Sequence, residues 1–333
     1  MSTRVVNERV GFEIGWDFAQ SGLRLPPDLH GDIYASVLTG FGSNLARTGN
    51  KLQRIKCSPD DLALYKKILY LRLSAFRRSR SISDELTPAY LRRIQVSCCP
   101  VTRATFTHGT GQPTDASVER INNNGGYAPG NICFVSLAAN SAKGCLSFTE
   151  VAGIAATVNH QGRDGLTSAQ WIRLACLSSY VCELGEVELA NTLPMLCRPS
   201  PGLLISSSAM SMRYHSAMMV VPGIPDQRSA SVRKAFKSLG SKRVNVLFER
   251  FVSSAFGACH AEFLKARAMD YRHLMENSWS NPVLFNAWTA LSAEVGERMD
   301  AVYMAFIAAV KGGGRLRTVD ESGWSLDTRG YAI

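Results

Sequence analysis

Ser117-Val118-Glu119-Arg120-Ile121-Asn122, then Gly125-Gly126-Tyr127, Asn131-Ile132, and Val135-Ser136 through Asn140 to Lys143-Gly144, is the stretch on which the fold turns. Val118 and Ile121 flank two charged residues in a short apolar strand, Asn122 to Gly126 is a turn-forming cluster, and Ile132 to Val135 supplies a returning strand. Ser136 to Lys143 then reads as one or two turns of helix. The order strand, turn, strand, helix is compressed into the segment 98–144.

On the upstream side, Ser58-Pro59-Asp60-Asp61 carries a helix start: an N-cap serine, a proline at the first turn and acids at the positive end of the dipole. Leu62, Tyr65, Ile68, Leu69, Leu71 and Leu73 continue it at helical spacing to Phe76. Arg77-Arg78-Ser79-Arg80 follows, and a short helix from Thr87 to Ile94 adds Arg92 and Arg93. Taken alone, such a run is a solvated charged face; ahead of the 98–144 segment, Arg77, Arg78, Arg80, Arg92 and Arg93 are also candidate phosphate contacts. Residues 1–55, broken by Pro26-Pro27, Gly40, Gly42 and Gly49, predict only short elements.

Downstream, helices are expected at Phe148 to His160, Ser168 to Cys182, Ser229 to Leu239, Lys242 to Phe256, His260 to Glu276 and Pro282 to Lys311, with an irregular stretch from Pro194 to Pro225. Gly312-Gly313-Gly314 is expected to end the last helix, leaving a loosely held tail from Arg315 to Ile333. The chain thus divides into a mostly helical basic region (1–95), the compact segment (96–147) and a helical C-terminal domain (148–333). The fold class is mainly α with a small α+β insert.

The 333 residues carry 37 Lys and Arg against 27 Asp and Glu, a net charge of +10. With a pI near 9.3, this favours a polyanionic partner, nucleic acid first. Met1 to Gly15 is too charged for a signal peptide, and the best apolar run, Ala301 to Val310, is about half the length of a membrane span. An odd number of cysteines, nine, without regular disulfide spacing suits a reducing cytoplasm. A cytoplasmic protein with no membrane partner is expected. No phosphate-cradling GxxxxGK[ST] loop is present, and Trp171, Trp279 and Trp288 fall in apolar helical stretches that suit a core.

The 98–144 segment resembles the branch of the HNH (ββα-metal) endonuclease family that reads roughly Ser-Leu-Asp-Arg-Ile-Asp, then Gly-Tyr, Asn-Val and Asn-x-x-Lys. The resemblance covers about one seventh of the chain. It implies that Glu119 and Asn140 hold a divalent cation, Mg²⁺ or Mn²⁺, for phosphodiester hydrolysis. It also makes Asn131 the residue whose amide ties the turn together. Lys143 is either a phosphate contact or a cation answering the helix C-terminus. Better-known members carry a general-base histidine where this chain has Arg120, which cannot accept a proton and suits a phosphate oxygen. The loop residue His108 is the alternative base. Many members also brace the fold with two CxxC pairs; those positions read Cys99 with Thr102 and Ser136 with Ala139, so a structural zinc is not expected. The resemblance implies a metal-dependent endonuclease acting on duplex DNA in a phage, mobile-element or defence setting. A nucleic-acid-binding protein or assembly subunit that has lost the base is the alternative, and the C-terminal helices leave room for a homodimer.

Overall fold

Serine and threonine caps set the helix starts around the β-hairpin. In the computed structural model, which describes residues 3–52, 57–221, 229–265 and 271–310, Ser58 accepts the Asp61 N–H at the head of α3 (Pro59–Arg77), and Thr87 accepts that of Tyr90 at the head of α4 (Pro88–Ile94). Ahead of them lie α1 (Thr3–Gln20) and α2 (Ala35–Arg47). The hairpin follows: β1 (Ala116–Arg120) pairs antiparallel with β2 (Ile132–Ser136), with Glu119 opposite Cys133 and Arg120 opposite Ile132. Ser136 ends β2 and caps α5 (Leu137–Lys143) by accepting the Ala139 N–H.

The remaining elements are α6 (Phe148–Thr157), α7 (Ser168–Ser179), α8 (Val187–Asn191), α9 (Ser208–Met218), α10 (Ser229–Lys237), α11 (Lys242–Lys265), α12 (Tyr271–Ser278), α13 (Pro282–Val295) and α14 (Met299–Ala309). The chain is mostly helical with one small antiparallel sheet among the described residues. No helix among them is long and apolar enough to cross a membrane.

Several helix bounds differ from the sequence expectation. Residues 1–55 hold two long helices rather than short elements, because their glycines serve packing instead of breaking the chain. A Cβ on Gly15 would fall 1.8 Å from Val37 O, and one on Gly40 2.0 Å from Phe12 O, so α1 and α2 meet backbone to backbone. α11 runs unbroken through Gly257, since Ala255, Ala258 and Cys259 keep one face in the core. The stretch expected as one helix from Pro282 to Lys311 is split at Gly296, whose φ of 53° ends α13. The supposedly irregular 194–225 stretch contains α9. The glycine triplet and the tail from Arg315 lie outside the described residues, as do 266–270 within the expected His260 to Glu276 helix.

Two hydrophobic cores share α3. Leu64, Ile68, Leu71 and Ala75 join a core that continues through Val118, Phe134, Trp171, Trp279 and Trp288 to Phe306. Leu69 and Leu73 turn to a second core with Ile14, Phe18, Tyr34 and Val37. A helix apolar on two sides is buried between layers, and here it positions the hairpin: Lys67 donates to Ala116 O (2.7 Å) and lies over the Phe134 ring. Burial lowers the Lys67 pKa, opposed by the nearby Asp115 charge.

Gly15→Ala is expected to lower stability by about 1–3 kcal/mol through overpacking, read by urea unfolding. Gly42, also in α2, has open space around it, and Gly42→Ala is expected to be neutral or stabilising by up to about 1 kcal/mol.

Candidate functional site

A strand alternates its side chains with period two, and a helix brings residues three apart to one face. The two periods meet here. Ser117 and Glu119 share one face of β1, and α5 lays Asn140 and Lys143 across it. Asn140 Nδ2 donates to Ser117 Oγ (2.6 Å), and Lys143 Nζ donates to Glu119 Oε1 (2.9 Å) and to Asn123 Oδ1 (3.0 Å). The Lys143 side chain is only 1% exposed and that of Glu119 10%, so this ion pair is internal.

Asn131 closes the turn between the strands. Its Oδ1 accepts the Asn122 N–H (2.8 Å), while its Nδ2 donates to Asn122 O and Gly126 O (both 2.9 Å). An amide that both gives and accepts is suited to holding a turn whose backbone polar groups leave water. Asn122 Oδ1 accepts the Asn124 N–H, and Asn123 Nδ2 reaches Gly144 O and Leu146 O beyond α5.

Arg120, on the other face of β1, donates Nη1 to Asn123 O and Gly125 O (both 2.8 Å), and its guanidinium lies 5.1 Å from the Tyr127 ring centre. It is buried. Its Nη1 is spent on the two turn carbonyls, a bracing role. Arg78 also reaches Tyr127, donating to Oη (2.7 Å) and approaching the ring at 5.9 Å.

The other arginines are dispersed. Arg92 is paired with Asp61, Arg93 lies over the Tyr90 ring at 4.8 Å, and Arg77 is 4.0 Å from Asp28. Arg77, Arg80, Arg92 and Arg93 are exposed, as is His108. The loop carrying His108 is shaped by Asp115, whose carboxylate accepts from Thr107 Oγ1, Thr110 Oγ1 and the N–H groups of Thr110 and Gly111. The Thr107 hydroxyl, foremost among these bonds, holds the Asp115 pKa below its ordinary value.

The four positions that the HNH resemblance aligns with paired cysteines converge. Cys99 Sγ accepts the N–H of Thr102 (3.4 Å) and of Ser136 (3.2 Å), Thr102 Oγ1 lies 3.4 Å from Ser136 Oγ, and Ser136 caps Ala139. Hydrogen bonds thus join the loop after Cys98 to the end of β2. Burial pushes the neighbouring Cys133 thiol well above its ordinary value, and Cys133 behaves as a small apolar residue.

Glu119 and Asn140 are the oxygen donors that the resemblance assigns to a divalent cation, and a small hard cation can be held by one or two carboxylates with waters and substrate phosphates completing its shell. The face between β1 and α5 offers the single carboxylate of Glu119, already neutralised by Lys143, and the amide of Asn140. Among the described residues no group of three or more His, Cys, Asp or Glu is placed to hold a metal.

Three contributors escaped the sequence reading. Asn123 fell in the turn-forming cluster, and Ser117 opened the motif without a role of its own. Arg103, at φ 60°, donates to Glu276 Oε2 (2.9 Å) and Asn277 Oδ1 (2.8 Å) on α12, while Arg198 N–H donates to Glu276 Oε1 (3.1 Å). Only the alternation of β1 hinted at Ser117; the Arg103 contact spans about half the chain and leaves no local signal. Scans against protein-family models, curated proteins and solved structures find no match for this chain.

Asn131→Ala removes three hydrogen bonds and strands the Asn122 N–H and the Gly126 carbonyl, Asn122 O keeping the Gly125 N–H, and is expected to cost about 2–3 kcal/mol, read by urea unfolding. Burial raises the Glu276 pKa above its ordinary 4.5 despite the Arg103 and Arg198 contacts. The folded chain therefore binds this proton more tightly than the unfolded chain, so this group's contribution to stability grows as pH falls from the raised value toward 4.5. Glu276→Gln is expected to flatten that slope in melting temperatures measured across this window.

Proposed function

We propose that the protein binds nucleic acid through an HNH-like ββα unit in which a lysine ammonium, rather than a divalent cation, neutralises the strand carboxylate. The observation that carries this reading is the buried pair of Glu119 with Lys143, closed by Asn123. The charge of +10 supplies the attraction for a phosphate backbone. Of the arginines ahead of the unit, Arg77, Arg80 and Arg93 are exposed; Arg77 has only a loose, solvent-facing pair with Asp28 at 4.0 Å, and among the described residues no ion pair of Arg80 or Arg93 is seen, which leaves these guanidinium groups open to phosphate oxygens. Duplex DNA is the expected partner.

Metal-dependent endonuclease activity is the second reading, favoured by one observation: Glu119 and Asn140 lie on the same β1–α5 face, as the family resemblance requires.

Fluorescence anisotropy with a labelled duplex tests the first reading. Binding that survives chelator is expected, with affinity falling as salt rises. The combined Arg77→Ala, Arg80→Ala, Arg93→Ala variant is expected to bind about tenfold more weakly and to lower the salt slope by roughly 2–3. Absence of binding at low salt overturns the proposal. Plasmid nicking that needs Mg²⁺ or Mn²⁺ and is lost in Glu119→Gln would establish the second reading instead.

A further inference from the structure

Lys143, Asn123 and Glu119 form a constellation with a chemistry of its own. A primary amine lies 3.0 Å from the carbonyl oxygen of a side-chain amide and 2.9 Å from a carboxylate oxygen. The amine is sealed from solvent at 1% exposure, and the carboxylate nearly so. The amide is held from its other end, where Asn123 Nδ2 donates to Gly144 O (3.1 Å) and Leu146 O (3.0 Å).

We infer that Lys143 and Asn123 form an intramolecular isopeptide bond, with Glu119 as the proton-transfer residue. Lys143 Nζ gives one proton to Glu119 and attacks Asn123 Cγ. Glu119 passes that proton to Nδ2, the Cγ–Nδ2 bond breaks, and the leaving ammonia takes the second Nζ proton and departs as ammonium. One C–N bond forms and one breaks, no electrons are transferred to or from an oxidant, and both protons lost by the lysine ammonium leave with the nitrogen. An unactivated amide reacts with an amine only when the two are held in near-attack geometry, and such positioning is worth a large effective concentration. A carboxylate beside the amine supplies general-base catalysis, and burial keeps water from the amine and its base, while Asn123 is half-buried at the rim. The product ties the β1–β2 turn to the last residue of α5; the Glu119–Lys143 ion pair is then the state before closure, and after closure the attraction for phosphate rests on the exposed arginines and the net charge.

Intact mass spectrometry of the full chain is the test, and it reads nothing about nucleic acid. The expected mass is that of the sequence less one ammonia. Because a succinimide at Asn124-Gly125 would lose the same mass, digestion by chymotrypsin, cutting after Tyr127 and Phe134, locates the bond: the fragment holding Asn123 is expected covalently joined to the one holding Lys143. Trypsin is expected to leave the chain uncut after Lys143. Glu119→Gln, Lys143→Met and Asn123→Ala are each expected to restore the unmodified mass. A wild-type chain at full sequence mass, or one cut by trypsin after Lys143, overturns the inference, whether or not the variants fold. So does an ammonia loss mapped to Asn124.

Discussion

A carboxylate and an ammonium taken out of water together set the terms for the hairpin and its helix. Burying either charge alone is costly, and removal of one partner from such a pair commonly costs about 3–5 kcal/mol. Glu119 and Lys143 share one site only because β1 and α5 are held at a fixed separation, and each neighbouring contact serves that separation. Asn140 bonds to Ser117 one turn earlier along the helix, Asn123 completes the ammonium's shell, and Asn131 keeps the turn that carries Asn123 in place. Arg120, on the opposite face of the same strand, secures that turn from behind. Changing the charge at either end of the pair therefore alters the hairpin as well as the site.

The hairpin is also held from three directions by the helical part of the chain. Lys67 on α3 reaches the first residue of β1, Tyr127 beyond the turn is gripped by Arg78, and Arg103 reaches Glu276 and Asn277 on α12. These contacts lie on a continuous apolar core. The N-terminal helices stand apart on their own core and meet the rest through the second face of α3.

Local chemistry was legible where it was written in neighbouring residues. The cap at Ser58, the start of the short helix at Thr87 and the strand–turn–strand–helix order are all short-range features, each with a physical mechanism in a few adjacent side chains, and the resemblance pointed to the turn-binding position of Asn131. What the sequence concealed is tertiary. Glycine reads locally as a breaker, yet Gly15 and Gly40 sit inside helices because another backbone lies against them. Arg120 looked available for phosphate, since nothing in the linear order reveals that two turn carbonyls and Tyr127 lie within its reach. Similarly, Lys143 offered a choice between substrate and dipole, and its actual partners are 24 and 20 residues away.

Gly130 lies between the turn and β2 with φ of 96°, and its carbonyl accepts the N–H of Leu204 (2.9 Å), from a segment far along the chain. A Cβ there would stand 3.1 Å from the Leu204 side chain. The compact ββα unit is therefore not a self-contained cassette. Grafted alone onto another scaffold, it would carry an unpaired backbone carbonyl and a bare apolar flank, so recombination that shuffled this segment between proteins would have to carry the 200–207 stretch along with it.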